Sequence, residues 1–142
     1  MDIRPITPDY AVSPQIDPTD LPAIKAAGYT TVIDNRPDGE IPLRLHTPVM
    51  QAAAEALGLV FVVNPVIGGM LTAENIRTQR AAIAAASGPV LAYCASGNRS
   101  SVVWALAEAD KRPVEELVGL PARHGYQLDH LRPQIAAMQR GG

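Results

Sequence analysis

The stretch GPVLAYCASGNRSSVVWALAEA, residues 88–109, contains the only cysteine of this 142-residue chain, Cys94. Residues 89–93 form an apolar run of the length and composition expected of a strand buried on both faces. A small polar turn, Ala95-Ser96-Gly97-Asn98, follows, and the chain from Arg99 to about residue 110 reads as a helix. A strand, a tight turn and a helix in that order make an anion site. Successive backbone N–H groups turn inward, and the helix N-terminus adds partial positive charge. Gly97 permits a backbone conformation that side chains resist. Arg99 brings a planar fork of donors to the same centre. A thiol placed there is expected to give up its proton readily, with Ser100 as a candidate hydrogen-bond donor to the sulfur. On the sulfur alone, a small buried hydrophobe at a strand end is the better reading. The residues behind it turn the balance toward Cys94 and Arg99 as catalytic residues, with Ala95, Ser96, Gly97, Asn98 and Ser100 as an anion-binding loop.

Working outward, residues 1–18 carry Pro5, Pro8, Pro14 and Pro18, which predicts an extended, irregular entry. Thr19 or Asp20 is the candidate cap of a short helix over 21–27 that stops at Gly28. YTTVIDN (29–35) is β-branched and aromatic and reads as a strand; the turn chemistry of RPDGEIP (36–42) follows it. A helix is expected over 48–57, capped by Thr47 with Pro48 in its first turn. LVFVVNPV (59–66) is a second doubly buried strand. After Gly68-Gly69, Thr72 caps a helix over 73–86, with Asn75 in place of the glutamate of a complete capping box. Further helices are expected at 113–119 and near the C-terminus. Strands alternating with helices predict an α/β fold, a parallel-centred sheet flanked by helices, as one domain over 1–142.

Composition narrows the class. The net charge is −2 and basic clusters are absent, which argues against nucleic acid as the main partner. No apolar run approaches a membrane span, and the first residues lack a signal-peptide pattern. A cytoplasmic location is the expectation. His46, His124 and His130 are too scattered for a metal-ligand pattern, so neither a metal nor another cofactor is expected. Trp104 is assigned to the core.

VLAYCASGNRSS (90–101) resembles the active-site loop of rhodanese sulfurtransferases and cysteine-dependent phosphatases. VSPQ (12–15), TVIDNRPDGE (31–40), NPVIGG (64–69) and CASGNRS (94–100), in this order, resemble a bacterial family: the phosphatase-like domain of beta-lactamase-hydrolase-like proteins, also described as a sulfur-transferase family. The resemblance spans almost the whole chain and implies a fold of the dual-specificity phosphatase type. It also implies, as a partner, a metallo-beta-lactamase-like domain. This chain has no cluster of metal-binding histidines, so such a partner would be a separate polypeptide.

Four residues separate Cys94 from Arg99, as rhodaneses commonly have, against five in the phosphatase pattern. A shorter loop suits one terminal sulfur better than three phosphoryl oxygens. Phosphoester cleavage also needs an acid to protonate the leaving oxygen, and residues 64–75 hold only Glu74. Both points favour sulfur transfer through a Cys94 persulfide, with a small sulfane-sulfur donor and a thiol acceptor. A phosphatase passing through phosphocysteine is the alternative, and a non-catalytic anion-binding or redox-sensing module is a third reading. In NRPDGE, Arg36 and Asp38 are candidate substrate-binding residues, weighed evenly against a plain turn. Asp34 is expected to receive hydrogen bonds at its strand end. Asn64 and Gly68-Gly69 are candidates for a loop facing Cys94, weighed against a connection that merely needs glycine.

Overall fold

In the computed structural model, which describes residues 1–141, five strands form one sheet in the order β1-β2-β5-β3-β4. They are β1 (Arg4–Thr7), β2 (Tyr10–Ser13), β3 (Thr31–Asp34), β4 (Val60–Val63) and β5 (Val90–Tyr93). β2, β5, β3 and β4 run parallel, and β1 is antiparallel at the edge beside β2. Helices α1 (Leu21–Ala26) and α2 (Thr47–Ala56) cover one face. Helices α3 (Ala73–Ala85), α4 (Asn98–Ala107), α5 (Val114–Ala122) and α6 (Arg132–Gly141) cover the other.

The period-two alternation of the strands divides the core. Tyr10, Val12, Ile33, Val90 and Ala92 pack toward Trp104, Leu117 and Ile135. Ala11, Val32, Phe61, Leu91 and Tyr93 pack toward Leu21, Ile24, Met50 and Ala54. Trp104 is buried as expected and stacks on Tyr10 with ring centroids 6.0 Å apart.

The first residues depart from expectation. They form an ordered hairpin, β1–β2, whose second strand is buried along its length inside the sheet. The prolines sit where a sheet tolerates them. Pro5 is in the edge strand, Pro8 in the turn, and Pro14 just past the end of β2. Three caps also differ: at α2 the cap position is His46, with no side-chain cap bond, and Thr47 is the first helical residue. Asp17 opens the turn before α1, accepting from Thr19 N–H at 3.0 Å while Asp20 accepts from Asp17 N–H at 2.8 Å. The box at α3 is complete, because the Asn75 carbonyl oxygen accepts from Thr72 N–H at 3.1 Å and so does the work of a glutamate.

The parallel register fixes what meets above the sheet. Ser13 and Asp34 both align with Tyr93, and Val63 aligns with Asp34. The residues after these positions, from Pro14, Asn35, Asn64 and Cys94 onward, therefore emerge together at the carboxyl edge, where sites in parallel sheets gather.

Candidate active site

Cys94 leaves β5 nearly buried, at 1% exposure. Gly97 follows at φ +96°, a left-handed backbone position that starts α4. Its N–H donates to Cys94 Sγ at 3.1 Å. Asn98 N–H turns to its neighbour Ser96 Oγ at 3.2 Å. Among the described residues, the N–H groups of Ala95, Ser96, Arg99 and Ser100 find no protein acceptor. A loop bent around a sulfur, with free amides and a helix N-terminus, has the form of an anion cradle.

Arg99 is locked beside it. Nη1 and Nη2 each donate to one oxygen of Glu40 at 2.8 Å, and Nη1 also donates to the Val66 carbonyl at 2.8 Å. Nε makes no hydrogen bond among the described residues and keeps one edge of the fork available. Glu40, and after it the nearby Cys94, push the guanidinium further toward its charged form, against partial burial. Arg99 in turn holds the Glu40 carboxyl below its usual range, so Glu40 is a fixed anion rather than an acid. Arg36 leans on the same carboxylate at 3.3 Å and donates to Gln15 Oε1 at 3.3 Å. The NRPDGE segment thus reaches the cysteine loop through Glu40, which holds Arg99, with Arg36 behind it.

Asp38 is engaged elsewhere. Its Oδ1 accepts from Thr47 N–H at 2.9 Å and Thr47 Oγ1 at 3.1 Å, so it ties down the first turn of α2. Asp34 is 1% exposed and accepts from Arg36 N–H at 2.9 Å and Thr47 Oγ1 at 3.2 Å. Burial pushes its carboxyl above the usual range despite those bonds. Beside it the buried Tyr93 hydroxyl forms no well-made hydrogen bond. His46 and His124 bind backbone carbonyls, of Ile41 at 2.9 Å and Pro5 at 2.6 Å. No group of three His, Cys, Asp or Glu side chains gathers among the described residues as metal ligands would.

Ser100 differs from the sequence expectation. Its hydroxyl donates to Asn35 Oδ1 at 2.9 Å instead of to the sulfur. Asn35 belongs to a buried polar cluster that the sequence reading did not find. Asn35 and Gln79 pair reciprocally, Nδ2 to Oε1 at 3.0 Å and Nε2 to Oδ1 at 3.2 Å. Asn35 Nδ2 also donates to the Asn64 carbonyl, and Gln79 receives Asn64 Nδ2 and donates to Tyr10 Oη. Tyr10 donates to the Ser100 carbonyl at 2.8 Å. Both protons and both lone pairs of each of the two amides are engaged, the full inventory of such a group. Asn64 therefore sits inside this cluster, and the connection after it reaches the site through the Val66 carbonyl. The one available signal was a lone glutamine on a helix face that otherwise buries Ile76.

A cysteine at the end of a central parallel strand, a free-amide loop and an arginine held by a carboxylate make up a cysteine-based, phosphatase-like catalytic fold. The comparisons agree. Residues 2–111 match the model of the Beta-lactamase hydrolase-like protein, phosphatase-like domain, family, and the chain belongs to that family. It is 35% identical to a beta-lactamase hydrolase-like protein of Xylella fastidiosa over 130 residues, 90% of this chain and 30% of that protein. The chain thus spans about a third of the length of the curated relatives it matches. Among solved structures, a protein of Neisseria meningitidis described as a candidate phosphatase superposes with a TM-score of 0.80 at 29% identity, covering 97% of this chain and 99% of that one. Kinase-associated phosphatase, with its catalytic cysteine replaced by serine, superposes at 0.70 and 15% identity over 90% and 88%, a likeness of fold. The expected dual-specificity phosphatase type of architecture is therefore observed. The comparisons give phosphatase-like relatives rather than sulfurtransferases, which reverses the order of the two chemistries drawn from loop length. Among the described residues no helix is long and apolar enough to cross a membrane.

Proposed function

We propose that the chain is a cysteine-dependent phosphatase restricted to phosphoesters with good leaving groups. The observation that carries it is the anion cradle: four unpaired loop N–H groups and the free Nε edge of Arg99 beside Cys94 Sγ. In the first step the Cys94 thiolate attacks phosphorus. An S–P bond forms, the P–O bond to the leaving group breaks, and the leaving oxygen takes the electron pair. In the second, water cleaves the S–P bond and releases phosphate. The loop amides and Arg99 meet the charge that builds on the equatorial oxygens.

The restriction follows from the carboxylates. Glu40 is an anion clamped by Arg99, Asp38 is tied to Thr47, Asp34 is buried, and residues 64–75 carry only Glu74, exposed in the first turn of α3. General acid catalysis contributes about 10²–10⁴-fold, so an alkoxide leaves poorly here while a phenolate leaves unaided. A cleft of about 390 Å³, bordered by Asn98, Arg99, Val102 and Leu131, runs from the loop and offers room for the organic group.

A second reading rests on the four-residue spacing between Cys94 and Arg99. In it the thiolate attacks the outer sulfur of thiosulfate, the S–S bond breaks, sulfite leaves, and the Cys94 persulfide passes its sulfur to a thiol. Rates on p-nitrophenyl phosphate, an alkyl phosphate and thiosulfate with a thiol acceptor separate the two. The first reading expects turnover of the aryl ester and at least about a hundredfold less of the alkyl ester. Turnover of thiosulfate alone would replace it with the second.

A further inference from the structure

The cysteine loop is gripped from outside by a residue far away in sequence. The Tyr126 hydroxyl donates to the Ser96 carbonyl at 2.7 Å and accepts from Arg4 Nη1 at 2.7 Å. Arg4 also lies over the Tyr126 ring, 5.6 Å from its centroid. Tyr126 belongs to the connection between α5 and α6, and Arg4 opens β1, so two unrelated parts of the chain meet at this one peptide.

That peptide is the one that reaches the sulfur. In a trans peptide the carbonyl of one residue and the N–H of the next point in opposite directions. A hydrogen bond that draws the Ser96 carbonyl outward turns Gly97 N–H inward, onto Cys94 Sγ at 3.1 Å. The fit leaves no slack. A Cβ built on Gly97 would collide with the Tyr126 hydroxyl and lie 2.9 Å from its Cζ. Glycine is therefore required here twice, by φ +96° and by the ring pressed against it.

We propose that Tyr126 is a positioning residue for the nucleophile: through the Ser96–Gly97 peptide plane it aims an N–H at Cys94 Sγ, and Arg4 fixes the hydroxyl that does so. An N–H aimed at the sulfur favours its charged, nucleophilic form. The Arg4 guanidinium polarises the tyrosine hydroxyl and strengthens the bond it donates. Burial raises the tyrosine above its ordinary value, with Arg4 opposing, which keeps the donated proton in place across the neutral range. The inference rests on Cys94 being the nucleophile, but not on which group it attacks.

The test is alkylation of Cys94 by iodoacetamide, which needs no phosphoester or sulfur donor and so stands apart from the reaction class. Tyr126→Phe keeps the ring and removes only the hydroxyl. It should be alkylated about tenfold more slowly than wild type at neutral pH, and the two rates should converge as the pH is raised. Arg4→Gln should fall between the two. Val118→Ala, a buried-core control on α5, lowers the melting temperature without touching this chain of bonds and should keep the wild-type alkylation rate. A wild-type rate in Tyr126→Phe, an equal loss in Val118→Ala, or a persistent deficit of Tyr126→Phe in alkali would each overturn the proposal.

Discussion

The loop over Cys94 and the amide cluster beneath it are built from the same small polar residues to opposite ends. In the cluster every hydrogen-bonding valence of Asn35 and Gln79 meets a protein partner. In the loop the amides of Ala95, Ser96, Arg99 and Ser100 meet none among the described residues. Ser100 belongs to both, its hydroxyl and carbonyl turned down into the cluster and its N–H left to the loop. Ala95 and Ser96 are exposed and Arg99 is half-buried, so their free amides are open to water or to an anion, whereas a buried polar group without a partner would cost stability. The satisfied cluster holds β3, the start of the 64–72 connection, α3 and α4 in fixed relation beneath them. One region is closed on itself and the other is left open.

That division can be broken at its anchoring end first. Gln79→Leu removes the partner of Asn35, Asn64 and Tyr10 together. It should lower stability by about 1–3 kcal/mol, read as a drop in the denaturant midpoint, and reduce activity as the loop helix loosens. A neutral result would mean that the cluster is not what holds the loop. A smaller effect is expected on the binding side. Glu40→Gln keeps the side-chain shape but cannot receive two charged N–H donors as a carboxylate does. Turnover should fall about tenfold with little change in melting temperature, because Glu40 is a third exposed on its side chain. A large loss of stability instead would make the Glu40–Arg99 pair an anchor.

The smallest effect belongs to Asp34. Burial raises its carboxyl above the unfolded value, so the contribution of the neutral form is complete below the unfolded range, about 3.9, and is lost as pH rises through the raised folded value. At neutral pH the buried charge is a burden. Asp34→Asn, which can still accept from Arg36 N–H and can donate toward the unpartnered Tyr93 hydroxyl, should raise the melting temperature at neutral pH. The gain should amount to less than about 1 kcal/mol and disappear near pH 3. A loss of stability at neutral pH would show that the ionised carboxylate is needed at the strand end.

Much of this was legible in the residues, and the parts that were not have common causes. Apolar runs marked β3, β4 and β5, and the cysteine loop announced itself through Gly97 and Arg99. β1 and β2 were hidden because prolines read as breakers, whereas Pro5, Pro8 and Pro14 occupy an edge, a turn and a strand end. In NRPDGE the sequence singles out Arg36 and Asp38 and passes over Glu40. The folded turn sends Asp38 to the first turn of α2 and Glu40 to Arg99. Ser100 was expected on the sulfur, since no local pattern indicates that Asn35, 65 positions away, claims its proton. The same limit hid Gln79 and Tyr126, whose partners are assembled by the sheet register.

The most direct test of the account is the mass of intact protein after rapid quenching in acid, following incubation with p-nitrophenyl phosphate and, separately, with thiosulfate. The account predicts a gain of one phosphoryl group from the aryl ester, carried by Cys94 and absent from Cys94→Ser. A gain of one sulfur atom from thiosulfate, with no phosphoryl adduct and no p-nitrophenolate released, would contradict it.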